Sequence, residues 1–291
     1  MVADPATRLA EDLAGLDALD IPRRDGLDLV RRTWSAAWPK LMAVVIVLGI
    51  WQCVVWSGWR PSYVIPGPAT VLRELGSLLG DGDFYRAIVI TMQRAVVGFS
   101  LAIVVGSAVG MAVSQSPLLR RAIGSIITGV QSMPSIAWFP FAILVFRLSE
   151  SAILFVIVLG AAPAIANGLI SGVDQIPPLI LRAGRVLGAS GVAAWRHVVL
   201  PAALPGFVSG LKQGWAFAWR SLMAGELLVI IASRPSIGVR LQMARELSDA
   251  AALMAMMIVV LVIGIVVDGL VFASLERRIR CNRGLLENRA A

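Results

Sequence analysis

Repeated apolar runs of about twenty residues decide what this chain can become. A helix rises about 1.5 Å per residue, so such a run matches the roughly 30 Å hydrocarbon core of a bilayer. The runs fall at about 40–56, 87–113, 122–146, 151–170, 205–231 and 251–274 of the 291 residues. The residues are 58% hydrophobic and 15% charged. A soluble domain carries about 45–50% and 25%, so lipid is the expected solvent of most of the chain. The expected fold is an all-α polytopic membrane protein with about six transmembrane helices. A polar N-terminal segment (1–39) precedes a membrane domain (40–280), and a polar tail (281–291) follows it.

Local signals refine the spans. Trp34, Trp38, Trp56 and Trp59 flank the first run as interfacial anchors. Pro61, Pro66 and Pro68 then mark a loop. Val71, Leu72, Leu75, Leu78 and Leu79 have the spacing of a short amphipathic helix. Gly106 and Gly110, four apart, allow close helix approach in the second span. Pro134 and Pro140 interrupt the third, and Pro163 and Asn167 lie in the fourth. Residues 1–38 lack the short basic start and immediate apolar stretch of a signal peptide, so the first run is expected to remain as an anchor.

Six spans place both termini on one side. With the N-terminus cytoplasmic, that side carries sixteen Lys and Arg against seven outside, so an N-in, C-in orientation follows. The net charge of +8 therefore reads as topology; no basic stripe with interleaved aromatics suggests nucleic acid. Cys53 and Cys281 would lie at different depths, which disfavours a disulfide, and no metal-ligand spacing occurs. His197 is the only histidine, and no nucleophile–base set accompanies it.

The connection at about 173–200 is the most informative segment. Asp174, Gln175, Arg182, Arg185, Arg196 and His197 make it too polar to span. Leu179, Ile180, Ala183, Val186 and Leu187 would form one face of a helix, and Gly188 to Gly191 would break it. A second short helix over 192–199 would lead to Pro201 and Pro205. Two helices beneath the membrane need a surface to cover the apolar face. From pattern alone, lipid and a partner protein both serve.

The run 181–206, LRAGRVLGASGVAAWRHVVLPAALPG, resembles the EAA loop of binding-protein-dependent ABC permeases. Gly188 matches the family's glycine, and 200–205 match its L-P-A-A-L-P ending. Other stretches agree in order: Ile65-Pro-Gly-Pro68, Arg94 with Gly98 and Phe99, Met133-Pro-Ser-Ile-Ala-Trp-Phe-Pro140, and the stretch from Ala218 to Glu226. Together they resemble the subgroup serving nitrate, sulfonate and taurine uptake. The resemblance covers about 60–280. It implies a non-catalytic permease subunit in a bacterial inner membrane, working as a homodimer. It also implies a cytoplasmic ABC ATPase dimer that binds ATP and Mg, and an external solute-binding protein. The chain itself has no G-x-x-x-x-G-K-[ST] phosphate loop and is expected to bind no cofactor. ATPase-coupling residues carried over are Arg182, Ala183, Gly184, Arg185, Gly188, Ala189, Leu200, Pro201 and Pro205. The family's glutamate falls at Arg182 and one of its alanines at Gly184. That reversal implies a partner with a matching acidic residue.

Charges in apolar spans are costly and normally face protein or water. Arg94 and Lys212, near span ends, are expected to snorkel, and Asp268 to pair with a basic neighbour. Arg220 and Glu226 lie deep in the fifth span. Six apart, they do not pair locally, whereas Gln213 and Arg220 share a face. Gln213, Arg220 and Glu226 are candidate translocation-path residues that would attract an anion. A structural interhelical bond is the competing reading. A secondary carrier or channel, or a membrane scaffold subunit, remains the alternative, although no repeat relates the two halves and a carrier would give the amphipathic connection no purpose.

Overall fold

The computed structural model describes residues 26–282, apart from 232. Among the described residues every regular element is helical. The chain divides into two compact units, 1–59 and 60–291; residues 1–25 and 283–291, with most of both polar termini, lie outside the described residues.

The first unit contains α1 (Gly26–Trp56), 31 residues with Pro39 inside. The helix begins well within the segment read as a polar N-terminus. Leu, Val, Arg, Ala and Trp before Pro39 all sustain a helix, so polarity there marks the end of the apolar stretch and not of the helix. The apolar part, Leu41–Trp56, is shorter than the other spans.

The second unit is built around one helix. In it, α2 (Pro68–Leu78) precedes α3 (Gly82–Gln115), whose N-cap Asp81 accepts a hydrogen bond from Asp83 N at 2.9 Å. On α2, Val71 is fully buried and Leu75 and Leu78 pack near Phe84 and Ile237, while Leu72 and Leu79 stay exposed. The central helix is α6 (Glu150–Asp174), flanked by α3 on one side and α9 (Leu200–Leu228) on the other. Small residues cause this. A Cβ on Gly106 would stand 2.6 Å from the Ala162 carbonyl oxygen of α6. On an adjoining face a Cβ on Gly168 would stand 2.3 Å from Gly210 Cα, and one on Gly206 would stand 2.5 Å from Gly172 Cα. Two small-xxx-small pairs, Gly168 with Gly172 and Gly206 with Gly210, thus interlock backbone against backbone. Lipid gives helices little hydrophobic reason to associate, so such close contact supplies the adhesion.

The third expected span is bent. Helix α4 (Pro117–Ser132) and α5 (Phe139–Phe146) meet at 101° across a 3-10 turn, Ser135–Trp138. Pro134 breaks the helix, whereas Pro140 occupies the first turn of α5, where its missing N–H costs nothing. Arg120 at the start of α4 binds Asp174 at the end of α6 at 2.7 Å. Glu150 at the start of α6 lies at the opposite end, so the bent pair carries the chain across. With α3, α6, the continuous helix Gly191–Leu228 and Ala250–Ile279, this makes four straight candidate spans and one broken one.

Two features were not expected from the sequence. Helix α10 (Ile237–Glu246) fills the connection after α9, capped by Ser236, whose hydroxyl accepts from Val239 N. The last span is α11 (Ala250–Val267), a π-helical turn at Asp268–Phe272 and α12 (Ala273–Asn282). Between α6 and α9, α7 (Pro178–Val186) and α8 (Gly191–Ala194) precede a π-helical turn, Trp195–Val199.

Candidate functional site

The connection 175–200 folds as the amphipathic pattern requires. Pro178 sits in the first turn of α7. Gly188 ends the segment at φ +84°, a conformation that L side chains rarely adopt, and Ala189 N binds the Gly184 carbonyl at 3.0 Å. The back of α7 packs inward: Leu181 joins a cluster with Ile176, Val199 and Ala203, and Gly184 lies against Val198. A Cβ on Gly184 would meet Val198 Cγ2 at 3.0 Å, which accounts for glycine where the resemblance expects alanine. The front of α7 faces outward. Leu179 is 75% exposed, Val186 87% and Leu187 86%, and Val192 on α8 is 83% exposed. Arg182, Ala183 and Arg185 are exposed on the same helix. Leu200, Pro201 and Pro205 are built into the start of α9, and Ala189 is half-buried.

A second feature opens beside the glycine contact of α6 and α9. A polar groove of about 350 Å³ is lined by Asn167, Ser171 and Gln175 of α6 and its C-terminal edge, and by Ser209 and Gln213 of α9. Asn167 also donates to Gln131 of α4. Gln213 is exposed into this groove, and Arg220 lies about 10 Å further along the same face of α9. Its guanidinium sits 5.1 Å from the centre of the Phe217 ring, a cation–π contact. Among the described residues no carboxylate pairs with Arg220.

Glu226 is placed otherwise. It is wholly buried and cannot line a water path in this arrangement. Its carboxylate accepts from Arg94 Nη1 at 2.8 Å, from Thr91 Oγ1 at 2.9 Å and from Gly238 N at 3.0 Å. Arg94 grips Glu150 with two further bonds, from Nη2 at 2.7 Å and from Nε at 2.8 Å, and Arg234 stands 3.7 Å from Glu150. Arg94 is 4% exposed, so it does not snorkel as expected. The same site binds α10, because Ile237 N donates to Thr91 Oγ1 at 3.1 Å. A Cβ on Gly238 would stand 2.2 Å from Glu226 Cβ, so glycine is required for the carboxylate to reach its amide. Lys212 pairs with Asp268 at 3.5 Å, which gives Asp268 its expected basic partner.

Glu150 was not singled out in the sequence, although its place at the opening of an apolar run is a signal of the same kind as Arg94. Among the described residues no group of His, Cys, Asp or Glu is placed to hold a metal.

Comparison with known proteins agrees with this geometry. The nitrate import permease NrtB of Leptolyngbya laminosa is 32% identical over 211 residues, covering 69% of this chain and 74% of its own. The taurine transport system permease TauC of Escherichia coli is 27% identical over 241 residues, covering 81% and 86%. The fold resembles a chain in inward-facing structures of the MetNI methionine ABC transporter (TM-score 0.58, 20% identity), over 67% of this chain and 95% of that one. Residues 98–280 match the family model of the binding-protein-dependent transport system inner membrane component. These matches cover the bent third span, the 175–200 connection and the glycine-locked helix pair, and the chain therefore belongs to that family of ABC importer permeases.

Proposed function

We propose that the chain forms, as a homodimer, the membrane path for a small anion delivered by an external binding protein. A cytoplasmic ATPase dimer holding ATP and Mg drives it through the segment 178–200, and the chain itself performs no chemistry. Both termini are cytoplasmic, which places the ends near Arg120 and Asp174 inside and those near Glu150 and Glu226 outside.

One observation carries the anion reading. Arg94, Lys212, Glu226 and Asp268 each have an opposite charge in contact. Arg220 has an aromatic ring and no carboxylate among the described residues. A cation left without a counter-charge, on one face with Gln213 and beyond a polar groove, offers a waypoint to an anion. Nitrate is an anion and taurine carries an anionic sulfonate group, so the names of these two relatives favour a solute with an anionic oxygen cluster.

The test is uptake by the assembled complex in proteoliposomes, with nitrate, taurine, an alkanesulfonate and bicarbonate as probes. Arg220→Ala should leave assembly and melting temperature unchanged and lower anion uptake at least ten-fold. Arg220→Lys should keep part of it. Loss of assembly would make Arg220 a structural residue, and unchanged uptake would remove the anion path.

A further inference from the structure

The 175–200 segment has a charge distribution that its docking role does not by itself require. Between Asp174 and Glu226 the sequence contains no Asp or Glu. The part that turns outward carries Arg182, Arg185 and Arg196, all exposed, and none has a carboxylate partner among the described residues. Asp174, at the edge, is already taken by Arg120 at 2.7 Å.

Arg182 is also centrally placed. At about 100° per residue, Leu179, Arg182, Ala183 and Val186 fall within about 100° of one another on α7, while Leu181 and Gly184 form the opposite, packed side. Along the helix axis Arg182 lies three residues after Leu179 and four before Val186, on the flank of the outward stripe that these two side chains form, and they are 75% and 87% exposed. Any surface that covers those side chains must also cover the Arg182 guanidinium. Burying an unpaired cation costs several kcal/mol unless the covering surface supplies a carboxylate or equivalent acceptors.

From this we infer that the cytoplasmic partner presents an apolar groove whose centre carries a carboxylate opposite Arg182, with further acidic groups at the rim opposite Arg185 and Arg196. The occupant is the ATPase subunit, and in that respect the inference rests on the docking reading above. A lipid surface is the less suited cover. Leu179 and Val186 would have to enter the hydrocarbon on either side of a cation that must stay at the headgroups. The specific consequence is selectivity. An ATPase whose groove centre is basic is excluded by like charges, a negative element acting on partner choice.

The experiment uses the full complex purified in detergent from cells expressing this chain with its own ATPase. The readouts are ATPase retained per permease and its solute-stimulated hydrolysis, between 50 mM and 1 M KCl. The Debye length falls from above 10 Å to about 3 Å across that range. Arg182→Glu should lower the retained ATPase at least ten-fold at 150 mM KCl, and Arg182→Lys should retain most of it. Arg185→Glu, at the rim, should sharpen the salt dependence with a smaller loss. Replacing the facing carboxylate of the ATPase by lysine should restore binding to Arg182→Glu alone. Undisturbed retention by Arg182→Glu would overturn the acidic groove. Val186→Asp separates the two levels of the argument. If it releases the ATPase while Arg182→Glu does not, docking stands and the acidic groove falls; if neither releases it, the docking reading itself fails. Unchanged elution and melting of each permease variant exclude misfolding as the cause.

Discussion

Removal of the Glu226 carboxylate tests the packing logic at its most buried point. Glu226→Ala leaves Arg94 Nη1, Thr91 Oγ1 and the Gly238 N–H without their acceptor. Both partners of the ion pair are inaccessible, with side-chain exposures of 3% and 0%. Arg94 keeps its two bonds to Glu150, so the cost is that of three buried donors stripped of their acceptor, each about 1–3 kcal/mol. The sum is of the same order as the ~3–5 kcal/mol for breaking one side of a buried pair. For a chain of this size about 1 kcal/mol moves the midpoint by roughly 2–4 °C, so the melting temperature should fall by on the order of 10 °C. The purified permease carries nine tryptophans, so intrinsic-fluorescence melting in detergent can follow the transition. A double-mutant cycle sharpens the result. Arg94→Ala alone strands both Glu226 and Glu150; with Glu226→Ala added, only Glu150 remains, near Arg234. The double variant should therefore lose less than the sum of the two singles, by at least about 1 kcal/mol. A shift under 2 °C for Glu226→Ala, or strict additivity, would refute the account of this cluster as a single buried unit.

Two further outcomes follow from the geometry. Gly168→Ala places a methyl 2.3 Å from Gly210 Cα, where only backbone can move, so it should destabilise by about 1–3 kcal/mol and reduce membrane accumulation; Gly124→Ala, which meets nothing within 4 Å, serves as the control. Asp81 accepts from Arg240 at 2.7 Å, and that bond, with the Asp83 N–H, holds its carboxyl below the usual range. A lowered folded-state pKa makes the contribution complete above the ordinary carboxylate value of about 4 and lost as pH falls through the folded value. The melting difference between wild type and Asp81→Asn should thus stay constant from pH 8 to pH 5 and shrink only in stronger acid; shrinkage already between pH 7 and pH 5 would contradict it.

Much of this molecule can be read in one dimension because lipid imposes a simple rule on length and polarity. The spans at α3, α6, α9 and α11 follow from that rule, and the 175–200 connection from helical spacing with Gly188 as its stop. The bend at Pro134 was legible as a break, but its 101° angle depends on what α4 and α5 pack against. The interlocking glycines were partly legible, since Gly168 and Gly172, and Gly206 and Gly210, each have the four-residue spacing. Which pair meets which is a tertiary fact. The ion cluster lay beyond reach for the same reason: Arg94 meets partners 56 and 132 residues away. Span-edge position suggested snorkelling for Arg94, and only the proximity of Glu150 and Glu226 makes burial the lower-energy choice. Helix α10 is short and weakly amphipathic, and Ser236 as its cap was the one local sign.

The glycine contact has a mechanical consequence. From Gly191 to Leu228 the chain is one helix of 38 residues, about 57 Å long. It meets α6 backbone to backbone at Gly206 and Gly210, and the contact runs on through Gly214 against Ile165, Ser221 beside Gly160 and Gly225 against Ile153. Seated along that whole length, the helix has no single point about which to pivot. A push on the exposed Val192 can reach Arg220 only if α6 travels with it, so the two helices behave as one rigid pair.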